Sequence, residues 1–210
     1  VNLNPNYALA HQYYSELLEI LNKEEKARRE INKAIELDPV FFMHRSVSSD
    51  NYYRAKKYDK ALEERLKMVE INPQFKTNKL GFFLTYLHKD NHFNAVKALQ
   101  KVIQSEPSKT IYANDVKNIY QESGIDSLLI WLTNLEKKRS PTDDYLIARL
   151  YALQQDKINA LLWLEKAMEK KVPNLPRIAI NPDFEILRQE PRFIALIDSM
   201  HLIPYHPWAN

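Results

Sequence analysis

The stretch AIELDP, residues 34–39, returns along the chain at a fixed interval, and that interval decides how the rest is read. Upstream, VNLNP ends at Pro5; downstream, MVEINP ends at Pro73, VIQSEP at Pro107 and KKRSP at Pro141. The prolines are evenly spaced, at the roughly 34-residue period of stacked helix-turn-helix units. Proline ends a helix because it lacks an amide donor and steers the residue before it away from helical angles. AIELDP is therefore punctuation between structural units and not a binding motif. VNLNP reads as the last turn of a helix begun upstream, so the chain is expected to be a piece of a longer protein. A missing leader sequence then says nothing of compartment; a cytoplasmic location is favoured, and a periplasmic one if the parent protein is membrane-anchored.

A chain of 210 residues could form one or two globular domains, or one solenoid whose units touch only their neighbours. The repeat favours the solenoid. With 2 glycines, 45% apolar and 27% charged residues, the composition is that of an ordered, helix-rich chain. No apolar run reaches the roughly 18 residues of a membrane helix. The net charge of +3 has acids and bases interspersed, which makes no electrostatic case for direct binding of nucleic acid. Without cysteine there is no disulfide, thiolate nucleophile or zinc-thiolate site.

No catalytic signature emerges. The sequence has no P-loop, nucleophile elbow, HExxH or dinucleotide fingerprint, and Gly81 and Gly124 alone cannot build a glycine-rich phosphate loop. The carboxylate pairs Glu24/Glu25 and Asp143/Asp144 fall at turns or helix starts, where capping accounts for them. His88 and His92 have the four-residue spacing of a helical metal pair. Asp90 and Asn91 between them fall in a turn, however, and a third ligand is not evident. His44 beside Arg45 is an anion-site candidate whose simpler reading is surface charge, and KKR at 137–139 suits a helix end. The chain is expected to be non-catalytic, without cofactor or metal.

Aligned on the prolines, Ala27, Ala61 and Ala95 share a column, as do Ala34, Met68 and Val102 seven residues on. Ser15 and Ser49 align with Phe83, and Leu18, Tyr52, Tyr86 and Tyr120 share another column. Small residues seven apart lie on one helix face, where they allow close approach of a neighbouring helix. The sequence DYLIARLYALQQDKINALLWLEKAMEK restores the pattern with Ala148, Tyr151, Ala160, Leu164 and Ala167, three residues early. The slip falls near Ser140 and Pro141.

Small residue, tyrosine or leucine, alanine, apolar, alanine and proline at these spacings resemble the tetratricopeptide repeat family over residues 1 to about 172. The fourth repeat departs from the pattern, with Leu129 where the first alanine stands. The resemblance implies an all-α, right-handed superhelix of about five helix pairs. The tail at residues 173–203 is expected to hold two short helices, with Asn181 before Pro182 and Glu190 before Pro191. Phe184, Leu187, Phe193, Leu196, Ile197 and Met200 would make it a cap over the array. It is similar to the NPDF...LR...PRF ending of repeat arrays in bacterial multidomain regulators: winged-helix activators, nucleotide cyclases and repeat-bearing Ser/Thr kinases. Residues 204–210, PYHPWAN, are expected to run extended or disordered.

In that family the first helix of each pair lines a concave groove that holds a protein or peptide. The resemblance places Gln12, Tyr13, Glu16, Met43, Ser46, Asp50, Tyr53, Arg54, Leu80, Leu84, His88, Asn114, Asn118, Tyr145 and Arg149 there, with Thr77 among the third repeat's contributions. Aromatic, aliphatic and amide groups side by side suit an extended or helical peptide. The alternative use of Tyr13 and Tyr53 is packing between repeats. The carboxylate clamp of chaperone-binding members is not expected, because its positions hold Gln12, Glu16, Val47, Thr77 and Gly81. The chain is thus expected to be a peptide-binding scaffold or sensory arm of a larger bacterial regulator. Self-association as a homodimer and small-molecule sensing are the alternatives.

Overall fold

The structure is a computed structural model that describes residues 4–73, 79–105, 110, 112–206 and 208. Pro107 and Thr77 lie outside the described residues. Among the described residues ten α-helices follow in order: α1 (Ala8–Ile20), α2 (Glu24–Leu37), α3 (Phe42–Arg54), α4 (Tyr58–Ile71), α5 (Lys79–Leu87), α6 (His92–Gln104), α7 (Ala113–Lys137), α8 (Asp144–Leu153), α9 (Lys157–Glu169) and α10 (Pro191–Ser199). Short 3-10 segments cover Leu175–Arg177, Pro182–Leu187 and Ile203–Tyr205. Among the described residues there is no strand, so the fold is all-α.

The interval seen between prolines is carried by the backbone. Helices α2, α4 and α6 begin at Glu24, Tyr58 and His92, each one proline interval after the last. The turns before them repeat as well. Asn22, Lys56 and Asp90 adopt left-handed angles with φ of 56°, 57° and 52°. In each turn the next amide reaches back to a carbonyl of the finished helix: Lys23 to Leu18, Lys57 to Tyr52 and Asn91 to Tyr86, at 2.8, 2.8 and 3.0 Å. This is the Schellman closure, in which a left-handed residue lets the chain satisfy otherwise orphaned helix carbonyls. The aligned Leu18, Tyr52 and Tyr86 are thus its acceptors. Gln155, with φ 62°, and the Asp156 to Tyr151 bond at 3.0 Å repeat the device between α8 and α9. Helix α8 starts at Asp144, short of a full interval after the start of α7 at Ala113 by the same three-residue advance that the sequence shows.

Gly124 occupies the equivalent turn position in α7, one interval beyond Asp90, and breaks that helix with φ 78° and ψ −171°. Those angles are accessible essentially only to glycine. A Cβ there would meet nothing within 4 Å, so the restriction is one of backbone torsion and not of space. Gly124→Ala is expected to destabilise the protein by about 2 kcal/mol, seen as a lowered urea midpoint; an unchanged midpoint would show that α7 runs on without the break.

The chain divides into two compact units, one holding residues 4–19 and 23–118, the other 20–22 and 119–208. In the first, Ala27, Ile31, Ala34 and Ile35 form the buried stripe of α2 at i, i+4, i+7 and i+8. Burying a side chain such as Ile31 contributes about 2 kcal/mol relative to leaving it exposed. Ala61, Met68, Phe83, Leu84, Ala95 and Leu99 continue this interior. Ser15 is small for a visible reason: its hydroxyl donates to the Ala27 carbonyl at 2.7 Å, fastening α1 against α2.

The second unit is built on a larger apolar cluster. Ala148, Ala152, Ala160, Leu164 and Ala167 of α8 and α9 pack with Phe184, Leu187, Phe193 and Ile197 of the tail, while Leu196 and Met200 are partly buried against them. Pro182 and Pro191 open their segments, and Asn181 Oδ1 accepts from the Asp183 amide at 3.1 Å as an N-cap. The expectation of an extended end at residues 204–210 meets a different arrangement where that end is described. His206 is buried, and Trp208 stacks on Phe193 at 6.3 Å with Arg188 5.2 Å from its ring. Apolar contact with the cluster outweighs the extended bias of Pro204.

Candidate binding face

The first-helix positions fall into two groups, those used inside the fold and those left at its surface. Gln12 is buried between two partners. Its Nε2 donates to Glu16 Oε1 at 3.1 Å, and its Oε1 lies 2.7 Å from His44 Nδ1. The amide oxygen facing His44 makes Nδ1 the protonated ring nitrogen. His44 Nε2 is then an acceptor, buried without a hydrogen-bond partner among the described residues, and the Phe41 ring lies edge-on at 4.9 Å. Burial holds the His44 pKa below the usual histidine value against an upward pull from Asp38.

Four further positions belong to ion pairs or ring stacks. Arg54 grips Glu19 with both Nε and Nη2, at 2.6 and 2.7 Å. Asp50 accepts from Nη2 of the fully buried Arg65 at 3.0 Å. Buried Tyr53 lies edge-on to Tyr58 and His88, and His88 stacks on Tyr58 at 5.2 Å with 15° between the planes. Ser46 and Leu84 are buried, whereas Met43 and Leu80 are half-buried. His92 opens α6 beyond the turn at Asp90, and among the described residues no three histidine or carboxylate side chains gather as a metal site.

In the second unit, Tyr145 and Arg149 hold the tail. The Tyr145 hydroxyl accepts from Asn181 Nδ2 at 3.0 Å, and its ring meets Phe184 edge-on at 5.7 Å. Arg149 Nε donates to the buried Asp183 carboxylate at 2.5 Å. The NPDF stretch is therefore a plug read by two side chains of α8. Nearby, Asp144 is buried with Thr142 Oγ1 at 2.5 Å and Lys170 Nζ at 2.6 Å. Burial pushes its pKa up, but the hydrogen bonds from Lys170 and Thr142 prevail and hold the carboxyl below its ordinary value.

Tyr13, Asn114 and Asn118 remain exposed, with Tyr13 at 63%. Tyr7, Tyr14 and Leu17 stand out of the surface beside Tyr13, although they were not among the expected positions. Their signal was in the sequence: ALAHQYYSELLEI is apolar on more than one face, and a single packed neighbour can cover only one. No protein-family model matches this chain, and no curated protein matches it.

Proposed function

We propose that the chain is a non-catalytic, tetratricopeptide-like module that binds a protein or peptide through its first helices, as the scaffold or sensory arm of a larger bacterial regulator. The regular spacing of helix starts and left-handed turns supports the repeat reading. The observation that carries the binding reading is Tyr13, a large amphipathic side chain exposed on α1 at the edge of the Gln12–Glu16 pair. Exposed tyrosines of this kind act as anchors in protein interfaces.

The test is to select ligands from a displayed peptide library and titrate the tightest against the chain and its Tyr13→Ala variant. Affinity is expected to fall about 30-fold, the equivalent of roughly 2 kcal/mol, with unchanged circular dichroism because the side chain is mostly in solvent. Failure to enrich any peptide, or binders indifferent to Tyr13→Ala and Asn118→Ala alike, would overturn the reading. Self-association is the second reading, favoured by Tyr7, Tyr14 and Leu17, which are exposed beside Tyr13 on and just before α1. A concentration-dependent dimer that Leu17→Glu dissolves would establish it.

A further inference from the structure

A groove of about 750 Å³ lies in the first unit, flanked by α4 and α6 and floored by α5. Its apolar lining includes Leu66 and Val69 of α4, Phe82 and Tyr86 of α5, and Ala98 of α6. Phe82 and Tyr86 are on the side of α5 opposite the buried Leu84 by helical rotation, and none of the residues lining the groove belongs to α1. Leu66 is 54% exposed, an apolar side chain with a free flank.

The two rims differ in charge. Lys97 and Lys101 line the α6 side one turn apart, and Lys97 Nζ is held 4.2 Å from the centre of the exposed Phe93 ring. On α4, Glu63 and Glu70 are exposed and flank Leu66 at its outer edge by the same helical rotation. Neither lysine and neither glutamate forms an ion pair among the described residues. The groove thus presents an apolar floor between a basic rim and an acidic rim, neither of them ion-paired among the described residues. From Asn94 to Ser105 the α6 wall runs about three turns, roughly 16 Å.

We propose that this groove receives an amphipathic helix of a partner protein. Its apolar i, i+3, i+7 stripe lies on Leu66, Val69 and Phe82, acidic residues follow the edge facing Lys97 and Lys101, and basic residues follow the edge facing Glu63 and Glu70. The opposed rims fix the helix's direction, because reversing it would set like charges together. The inference does not rest on the binding reading of α1.

A displayed library of 16-residue helices tests it, with leucine fixed on one stripe and the two flanking edges drawn from Glu, Gln and Lys. Selection on the 210-residue chain is expected to enrich Glu on one edge and Lys on the other. The Lys97→Glu, Lys101→Glu variant should reverse the first edge to Lys, and Leu66→Glu, at an exposed position, should weaken the selected helices at least tenfold without unfolding the protein. No enrichment, or enrichment without edge bias, overturns the proposal. Binders lost on Tyr13→Ala and kept on Leu66→Glu also overturn it, while leaving the α1 reading intact. A dimer of the chain alone that Leu66→Glu dissolves would make a second copy the occupant and displace the partner helix.

Discussion

Replacing Phe184 with alanine is expected to lower the stability of the second unit by about 4 kcal/mol. The ring is fully buried, edge-on to Tyr145 at 5.7 Å and 6.2 Å from Phe193, where the tail meets α8. Truncation would remove its apolar burial and leave a void among neighbours that Asn181 and Asp183 hold in place by their bonds to Tyr145 and Arg149. Trp131, Trp163 and Trp208 all belong to this unit, so tryptophan fluorescence in urea reports on it selectively. A midpoint near that of the native chain would mean that the tail is not seated as described.

Arg54→Ala is expected to cost the first unit about 3 kcal/mol. The Glu19 side chain is only 8% exposed and takes both guanidinium contacts, so truncating the arginine removes a two-point counter-charge from a buried carboxylate. Adding Glu19→Gln should recover more than half of that loss, since a neutral amide needs no counter-charge. Far-ultraviolet circular dichroism, to which every helix contributes, is the readout. A loss under about 1 kcal/mol, or no recovery in the double variant, would show that water already shares the pair.

The proline interval made the helix starts at Glu24, Tyr58 and His92 legible, and the small-residue columns marked the interior at Ala27, Ala61 and Ala95. The left-handed turns were not legible. Asn22, Asp90 and Gly124 are types that tolerate positive φ, but Lys56 and Gln155 take the same left-handed geometry without that chemistry, so residue type alone did not mark the position. The face was harder still. A helical wheel puts Gln12, Tyr145 and Arg149 on the first-helix side, but their partners His44, Asn181 and Asp183 lie 32, 36 and 34 residues along the chain. Side chains spaced by about one proline interval meet across neighbouring elements, and the wheel of a single helix contains no record of that meeting. Tyr13 stayed at the surface because Gln12, the residue before it, turned inward to His44.

The hydroxyls and amides enclosed in the first unit also shape its response to temperature. Ser15, Ser46, Ser48, Ser49, Gln12 and His44 are all buried there, among residues that would be aliphatic in an oil-like interior. Polar surface exposed on unfolding lowers the heat-capacity change, whereas aliphatic surface raises it. Per residue, the first unit is therefore expected to have a flatter stability curve than the second, where fewer buried polar side chains sit in a larger apolar cluster, and to give up less of its cohesion on cooling.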